Sequence, residues 1–317
     1  MTDRSALLAD IGATHARFAL GRHDEISGFR SFNCADYPSL EAAADAYLDA
    51  EQVSHRPKRG AFALAGPVSG DLIRMTNLPW QFSVAEIRDR LRFDRLEIVN
   101  DFTAIAWSIP CLSDQDRVKL GGGESVDGGV IGILGPGTGL GVSALVRATD
   151  GGIALSTEGG HVTLPSTTDR ESAVVGELRK QFGHVSAERA LSGPGLINLY
   201  GALCAIDRVE PRVLDPAELC RLAVERRNPH CHEALGMFCS ILGAVAGNLA
   251  LTYGATGGIY VAGGIAGKIV PFLTASHFRE RFLEKGRMRS YLASIPTYLV
   301  THESPALLGL RAHVFKT

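Results

Sequence analysis

The sequence predicts an α/β protein with two related halves, and this prediction rests on a feature that occurs twice. Leu7–Leu20 and Ile131–Val146 each consist of an apolar run, a tight turn containing Gly and Thr, and a second apolar run. Alternating and β-branched residues on both sides of the turn predict strand–turn–strand. Glycine in such a turn lets the backbone approach a ligand, with N–H groups that bind an anion. Two phosphate-binding hairpins therefore indicate two α/β halves that share one nucleotide.

Length and composition agree with this organisation. A chain of 317 residues with 45% hydrophobic residues is too long for one ordinary core and suits two domains. The net charge of −2 gives no electrostatic reason to expect nucleic acid or an anionic membrane as a partner. The six cysteines form no CxxC pair, and the N-terminal apolar run is too short for a signal peptide. We expect reduced cysteines in a cytoplasmic protein.

Strands and helices alternate in the first hundred residues, which is typical of an α/β domain. The predicted strands are Leu7–Asp10, Ala16–Leu20, Gly60–Ala65 and Leu96–Val99, and the predicted helices are Leu40–Gln52 and Ser83–Leu91. The second helix begins with a Ser cap followed three residues later by Glu86, which is a capping box.

A second α/β region is predicted to begin at Val130, after a linker at Pro110–Gly129 that is rich in Gly, Ser and Asp. Its predicted elements are helices Glu171–Phe182, Leu196–Ile206, Leu235–Tyr253 and Ala306–Phe315, strands Ile153–Leu155, Ile259–Ala262 and Tyr298–His302, and a turn at Ser192–Gly195. The stretch Ala234–Gly267 has no charged residue and is long enough to cross a bilayer. We interpret it as a buried helix and strand, because paired glycines would break a spanning helix.

Two polar residues follow the predicted strand Leu96–Val99. The Asp101 carboxylate is suited to take a proton from a substrate hydroxyl, or else to cap the helix Phe102–Trp107. Asn100 both donates and accepts hydrogen bonds, which suits a sugar hydroxyl. The sequence alone leaves both roles of Asp101 open.

Glu158, His161 and Glu188 form a second candidate set. Two carboxylates and an imidazole suit a polyol, and they also suit a metal. The separation of Glu188 from His161 in the chain fits no compact metal motif. Taken singly, Glu188 is typical of a surface helix and His161 of a loop.

The sequence lacks the two commonest motifs of nucleotide-binding proteins. GxxxxGK[ST] is absent, and GxGxxG does not fit Gly135–Gly141, so neither a P-loop nor a Rossmann fingerprint is present. Asp10 opens the first turn, where a carboxylate beside a phosphate cradle requires a cation between them. The glycine pairs at 257–258 and 263–264 suit either an adenine lying against the backbone or close helix–strand packing.

Taken together and in order, seven segments resemble the bacterial glucokinase family, of the hexokinase–actin–Hsp70 type of two-lobed ATPase and outside the ROK sugar kinases. The segments are LADIGATHARFAL, MTNLPW, EIVNDFTAIAWSIP, GPGTGLGVSALV, STEGGHV, GHVSAERALSGPGLINLY and GGIYVAGGI. The resemblance implies two actin-like (ribonuclease H-like) α/β domains around a central cleft. Residues 1–110, with the C-terminal helix 301–317 packed back on them, would form the small domain, and residues 111–300 the large one.

The resemblance also implies an activity: phosphorylation of D-glucose at its 6-hydroxyl by ATP with Mg²⁺, the first step of glycolysis. It implies a cytoplasmic homodimer whose partners are glucose and ATP, with no nucleic acid and no membrane. Asp101 matches the family's catalytic base. The remaining matches are Asn100, Glu158, His161 and Glu188 for glucose; Ala9, Asp10, Ile11, Gly12, Ala13 and Thr14 for the first phosphate loop; Gly137, Thr138 and Gly139 for the second; Gly263 and Gly264 for adenosine; and Asp10 for Mg²⁺ through water.

Two departures from the family pattern D-x-G-G-T-N lie in the first loop. Ala13 adds a methyl group where positive φ would favour glycine, and His15 replaces an amide with a larger, titratable ring. Both put the affinity for nucleotide in question. The alternatives left open are a kinase for another hexose, a non-catalytic sugar sensor, and an actin-like filament or chaperone ATPase. The phosphoryl donor, ATP or polyphosphate, is also open.

Overall fold

The computed structural model describes residues 5–53, 55–75, 78–148 and 152–316. Within the segment MTNLPW, Thr76 and Asn77 lie outside the described residues. The strands are β1 (Ala6–Ile11), β2 (His15–Gly21), β3 (Ile26–Asn33), β4 (Arg59–Leu64), β5 (Leu72–Arg74), β6 (Gln81–Ser83), β7 (Arg95–Asn100), β8 (Arg117–Gly121), β9 (Ile131–Pro136), β10 (Leu140–Val146), β11 (Ile153–Thr157), β12 (Gly258–Val261) and β13 (Thr297–Val300).

In the part of the chain that the structure describes, helices lie in five of the twelve intervals between these strands and after the last strand. They are α1 (Leu40–Ala50), α2 (Val84–Arg90), α3 (Asp101–Ser108), α4 (Asp169–Phe182), α5 (Gly193–Asp207), α6 (Pro216–Val224), α7 (Pro229–Tyr253), α8 (Val270–Thr274), α9 (Phe278–Leu283), α10 (Arg289–Ser294) and α11 (Pro305–Val314).

The chain divides into two compact units. The first unit comprises Met1–Ser113, Ala148–Ser156 and His302–Thr317, and the second comprises Asp114–Arg147 and Thr157–Thr301. The C-terminal helix α11 therefore belongs to the same unit as the N-terminal strands.

The sheet of the first unit has the strand order β3-β2-β1-β4-β7. β1 and β2 form the predicted antiparallel hairpin, with Ile11 opposite Ala16, while β1, β4 and β7 run parallel. Phe18, Tyr47 and Phe62 are fully buried in the core of this unit. Because α3 begins directly after β7, the carboxyl end of the strand delivers Asn100 and Asp101 to the edge of the sheet, where ligands of α/β proteins bind.

Helix α11 packs against α3. The ring of His313 stacks on Trp107 with the centroids 3.7 Å apart and the planes inclined by 5°. Nε2 of His313 lies 2.7 Å from Oε2 of Glu97, and this hydrogen bond lowers the pKa of Glu97 despite its partial burial. The last helix is thus fixed both to α3 and to β7.

In the second unit the strands β10, β9, β12, β13 and β8 follow one another in a mixed sheet. β9 and β10 form the second predicted hairpin, and β9, β12 and β13 run parallel. The apolar residues of this sheet pack with helices α4 to α9 in one large core cluster. The two turns that the sequence predicts to bind phosphate therefore occupy equivalent places, each in the first hairpin of its own sheet.

Helix α7 is the one helix in the described part of the chain that is long and apolar enough to cross a membrane. It has 25 residues, and 67% of its most apolar window is buried within the protein. The helix is therefore a core helix of the second unit. It begins at Pro229, six residues before the predicted start at Leu235, because Asn228 caps it by accepting from the N–H of Cys231.

Two predictions of local structure were wrong. The predicted linker Pro110–Gly129 contains strand β8, which pairs antiparallel with β13. The predicted turn Ser192–Gly195 is the start of α5, because Ser192 is the N-cap and proline is compatible with the first turn of a helix. In both places glycine and proline suggested irregular structure where a partner strand or a cap makes regular structure favourable.

All six cysteines are free thiols. Cys111 is exposed and Cys220 is half-buried, while Cys34, Cys204, Cys231 and Cys239 are buried. Desolvation raises the pKa of every one of the six thiols.

Candidate active site

Asn100 is the N-cap of α3. Its Oδ1 accepts from the N–H groups of Phe102 (2.9 Å) and Thr103 (3.2 Å), and its Nδ2 donates to the carbonyl of Gly66 at 3.1 Å. The alternative in which Asp101 caps this helix was therefore wrong: Asn100 has the extended backbone of a cap, and Asp101 is the first helical residue. Asn100 is buried, with 8% of its surface exposed. Its amide nitrogen has two N–H groups, and because one donates to Gly66, the other remains for a ligand.

Asp101 lies at the N-terminus of α3 and is partly exposed. Its Oδ1 accepts from the N–H of Phe102 at 2.9 Å. A carboxylate is electrostatically favourable at this end of a helix. Because the neighbouring Asn100 performs the capping, Asp101 is not required for that structural role.

The first turn joins β1 to β2. The N–H of Gly12 donates to the carbonyl of His15 at 2.9 Å, and the N–H of Cys34 donates to the carbonyl of Thr14 at 2.8 Å. Thr14 and His15 are exposed. Ala13 is not among the residues with positive φ, so the expected conflict between its methyl group and the backbone does not arise.

Asp10 precedes this turn and is largely buried, with 17% of its side chain exposed. Its Oδ2 lies 3.1 Å from Nη1 of Arg17. Burial raises the pKa of Asp10, and Arg17 opposes this shift. No group of three or more His, Cys, Asp or Glu residues that could hold a metal exists in the described ranges. A lone carboxylate beside a phosphate cradle nevertheless fits Mg²⁺, which takes most of its ligands from phosphate and water.

The second turn joins β9 to β10. The N–H of Gly137 donates to the carbonyl of Gly139 at 2.8 Å, and Thr138 between them is exposed. Gly263 lies beside it with φ +96°, and a β-carbon on Gly263 would be 2.6 Å from the carbonyl oxygen of Pro136. Gly263 is therefore needed for close packing, whereas Gly264 has open space around it. The structure thus brings the predicted adenosine segment next to the second phosphate turn.

Glu158 directly precedes a short 3₁₀ turn, Gly159–His161, and His161 is its last residue. Their side chains are 55% and 60% exposed, with Nε2 of His161 4.0 Å from Oε2 of Glu158. Gly160 between them packs so closely on the carbonyl oxygen of Leu140 that a β-carbon there would overlap it. The two polar side chains are therefore held beside the start of β10 and face solvent.

Glu188 lies in the 3₁₀ turn Ala187–Arg189, and Oε2 accepts from the N–H of Leu140 at 2.9 Å. It is thus not a surface helix residue. The structure brings Glu158, His161 and Glu188 together around Leu140 and the second turn. Leu140 could not be predicted from the sequence, because its contacts are made by its backbone groups and leave no signal in the residue type.

Each unit thus carries a different set of candidate site residues. The first unit presents a carboxylate at a helix N-terminus and a turn preceded by Asp10. The second unit presents a turn with two glycines, flanked by three side chains that accept hydrogen bonds from hydroxyl groups.

Comparison with known proteins gives a consistent result. The family model described as Glucokinase matches residues 7–317. A glucokinase of Nitrobacter hamburgensis is 49% identical over 304 residues, covering 96% of this chain and 95% of the relative. A glucokinase of an Enterobacter species is 46% identical over 314 residues, covering 98% and 97%.

Solved structures agree in fold. The crystal structure of a glucokinase from an Antarctic psychrotroph has a TM-score of 0.88 and 38% identity, with 99% of each chain covered. A Balamuthia mandrillaris glucokinase in complex with glucose has a TM-score of 0.80 at 20% identity, covering 99% of this chain and 94% of that one, and so supports the fold alone. With a family match over nearly the whole chain and relatives at almost half identity, this chain belongs to the glucokinase family.

Proposed function

We propose that this protein transfers the γ-phosphoryl group of ATP to the 6-hydroxyl of D-glucose, yielding glucose 6-phosphate and ADP. Membership in the glucokinase family supports this reaction. The structural observation that supports it most is the hydrogen bond from the N–H of Leu140 to the carboxylate of Glu188. This bond joins a side chain suited to bind a sugar hydroxyl to the end of the turn proposed to bind phosphate. A sugar and a nucleotide phosphate are thus the ligands that this region suits best.

Asp101 is the proposed catalytic base. It accepts the proton of the 6-hydroxyl as the sugar oxygen attacks the γ-phosphorus and the bond to the β-phosphate oxygen breaks. Positioning and electrostatic stabilisation account for most catalysis in phosphoryl transfer, so one base and fixed N–H donors suffice. Water is the competing nucleophile, and a site completed by sugar would disfavour ATP hydrolysis.

The nucleotide would be bound by backbone groups. The segment Ala9–Thr14, which is the end of β1 with the turn after it, and the turn Gly137–Gly139 would bind the phosphates, and Gly263–Gly264 would flank the adenosine. Mg²⁺, when bound, neutralises phosphate charge, and Asp10 would hold it through water. Within the first unit, Asp10 is the carboxylate proposed for this role, since it lies near the end of β1, two residues before Gly12.

Four side chains would recognise glucose: Asn100, Glu158, His161 and Glu188. Asn100 contributes the one carboxamide N–H that capping leaves over. The carboxylates would accept from sugar hydroxyls, and each missing hydroxyl would leave an acceptor unpaired beneath the bound sugar, at a cost of about 1–3 kcal/mol.

The wider setting is also a proposal. The protein would act in the cytoplasm at the first step of glycolysis, as a homodimer. Residues 1–110 with 301–317 would form its small domain, and residues 111–300 its large domain.

A coupled assay across hexoses and donors tests the proposed function. We expect turnover with glucose and ATP that exceeds turnover with mannose, fructose, glucosamine or polyphosphate. Asp101→Asn serves as the inactive control. A higher kcat/KM for another hexose would replace the substrate, and glucose binding without turnover would instead indicate a sugar sensor.

A further inference from the structure

The segment 188–193 holds the second phosphate turn at both ends. At one end, the N–H of Gly193 donates to the carbonyl of Gly137 at 2.8 Å. At the other, the carboxylate of Glu188 accepts from the N–H of Leu140 at 2.9 Å. The turn is therefore fixed by hydrogen bonds to a single neighbouring segment.

This segment is itself ordered by Ser192. Its Oγ donates to the carbonyl of Glu188 at 2.8 Å and accepts from the N–H of Gly195 at 2.9 Å. Because Ser192 is also the N-cap of α5, the backbone of Glu188 is tied to the start of a helix in the core. Movement of Glu188 is thus restricted to its side chain.

The contact between Glu188 and the turn is close. A β-carbon on Gly139 would overlap Oε2 of Glu188. By contrast, a β-carbon on Gly137, two residues earlier in the same turn, meets no atom within 4 Å. Of these two glycines, only Gly139 therefore lies against the carboxylate of Glu188. A methyl group added at each position separates the effect of this contact from that of changing the turn.

The same residue also contacts the other segment proposed to bind glucose. The carbonyl oxygen of Leu140 lies against Gly160, between Glu158 and His161. Both segments proposed to bind glucose thus contact the backbone of Leu140, through its N–H and its carbonyl, directly after the turn Gly137–Gly139.

From these contacts we infer that Glu188 is a positioning residue for the phosphate turn as well as a ligand of the sugar, so that each substrate orders the binding site of the other. One carboxylate oxygen, Oε2, holds the turn through Leu140, and Oε1 is left to accept from a sugar hydroxyl. Glucose that fixes this carboxylate also fixes the turn, and phosphate that fixes the turn fixes the carboxylate. This inference rests on the proposed function and adds that the binding of glucose and the binding of nucleotide are coupled.

The first experiment compares two matched variants, Gly139→Ala and Gly137→Ala, by calorimetric titration with glucose in the absence of nucleotide. Each adds one methyl group to the same turn. We expect Gly139→Ala to raise the Kd for glucose about tenfold, because displacing the carboxylate loses a charged hydrogen bond. Gly137→Ala should leave the Kd for glucose unchanged. Equal glucose affinities in two folded variants would overturn the inference.

A second measurement covers the case in which Gly139→Ala does not fold. The affinity for AMP-PNP is measured with and without saturating glucose in the wild-type protein and in Glu188→Asp, whose side chain is one methylene too short to reach both partners. We expect glucose to tighten AMP-PNP binding about fivefold or more in the wild type, and to have little effect in Glu188→Asp. Full coupling in Glu188→Asp would overturn the inference.

Different results would refute the proposed function and the coupling between the two substrates. A wild-type protein that neither binds glucose nor turns it over would refute the proposed function. Normal wild-type turnover combined with equal glucose affinity in the two glycine variants would refute only the coupling.

Discussion

Gly309 of α11 lies directly against the carbonyl oxygen of Ala104 in α3, so closely that a β-carbon at residue 309 would overlap it. The same β-carbon would lie 2.9 Å from the backbone nitrogen of Ser108. Glycine is therefore the residue that permits these two helices to touch backbone to backbone. Because α3 begins at Asp101, the place of the proposed base depends on how α11 packs.

Gly309→Ala should move α3 away from α11 and displace Asp101. We expect unfolding to become easier by about 1–3 kcal/mol through overpacking. We also expect kcat to fall at least about tenfold, since small misplacements of reacting groups cost rate, while the KM for glucose changes less. Chemical denaturation and steady-state kinetics measure the two effects.

Gly176→Ala is the matched control for this prediction. Gly176 lies inside α4, and a β-carbon there meets no atom within 4 Å. The substitution should stabilise the protein by about 0.5–1 kcal/mol, because alanine is the better helix former. If Gly309→Ala behaved like Gly176→Ala, the close approach of α3 and α11 would not be essential.

Asp101→Asn tests the proposed base. The amide keeps the shape of the side chain and its ability to accept from Phe102, but it cannot take a proton. We expect kcat to fall by about 10²–10⁴ with glucose affinity largely retained. A variant with near-normal turnover would remove Asp101 from the mechanism.

Glu158→Ala tests sugar recognition. The side chain is 55% exposed, so its removal should change stability by less than about 0.5 kcal/mol. The KM for glucose should rise about tenfold or more, before any effect on ATP. Glu124→Ala, which removes an exposed glutamate paired with Lys119 in the same unit, should leave both constants unchanged. An effect of Glu158→Ala on ATP alone would contradict the assignment.

Asp10→Asn tests the buried carboxylate and its pH dependence. Burial raises the pKa of Asp10 in the folded protein above the ordinary value of 3.8. The folded state therefore binds the proton more tightly than the unfolded chain, and stability falls as pH rises from the unfolded pKa through the folded one. The variant should melt at a higher temperature than the wild type at pH 7.5.

Its advantage should shrink as the pH falls through the raised pKa of Asp10, because the wild-type carboxyl is then protonated in the folded state. Thermal melts of both proteins at several pH values measure this difference. Asp24→Asn, at a side chain that is 91% exposed, provides the control. A lower melting temperature of Asp10→Asn at pH 7.5 would mean that the ion pair with Arg17 outweighs desolvation.

Most of the fold could be predicted because it rests on local patterns. Both hairpins show alternation on either side of a Gly-rich turn, and helix α2 carries the Ser cap that the sequence predicts and the structure confirms. Strand β8 could not be predicted, because it is favourable only when paired with β13, 176 residues further along the chain. The start of α5 was missed because its cap, Ser192, precedes glycine and proline.

The candidate site was less predictable than the fold. The sequence identified Asn100 and Asp101 but considered a capping role for Asp101 alone, since only the backbone conformation separates a cap from the first helical residue. Glu188 was identified as one of a polar set and again by the family resemblance, but its hydrogen bond to Leu140 spans 48 residues. A contact of this kind involves a backbone N–H, which every residue except proline supplies, so no residue type signals it.

The state of the cysteines has a practical consequence for experiments on this protein. Thiolates are the species that react with maleimides and that exchange into disulfides, and all six thiols hold their protons more firmly than a free cysteine does. Of the six, Cys111 alone is exposed. Brief treatment with a maleimide dye near pH 8 should therefore label the native protein at one position, three residues after the end of α3. The unmodified chain thus carries its own attachment point for a fluorophore.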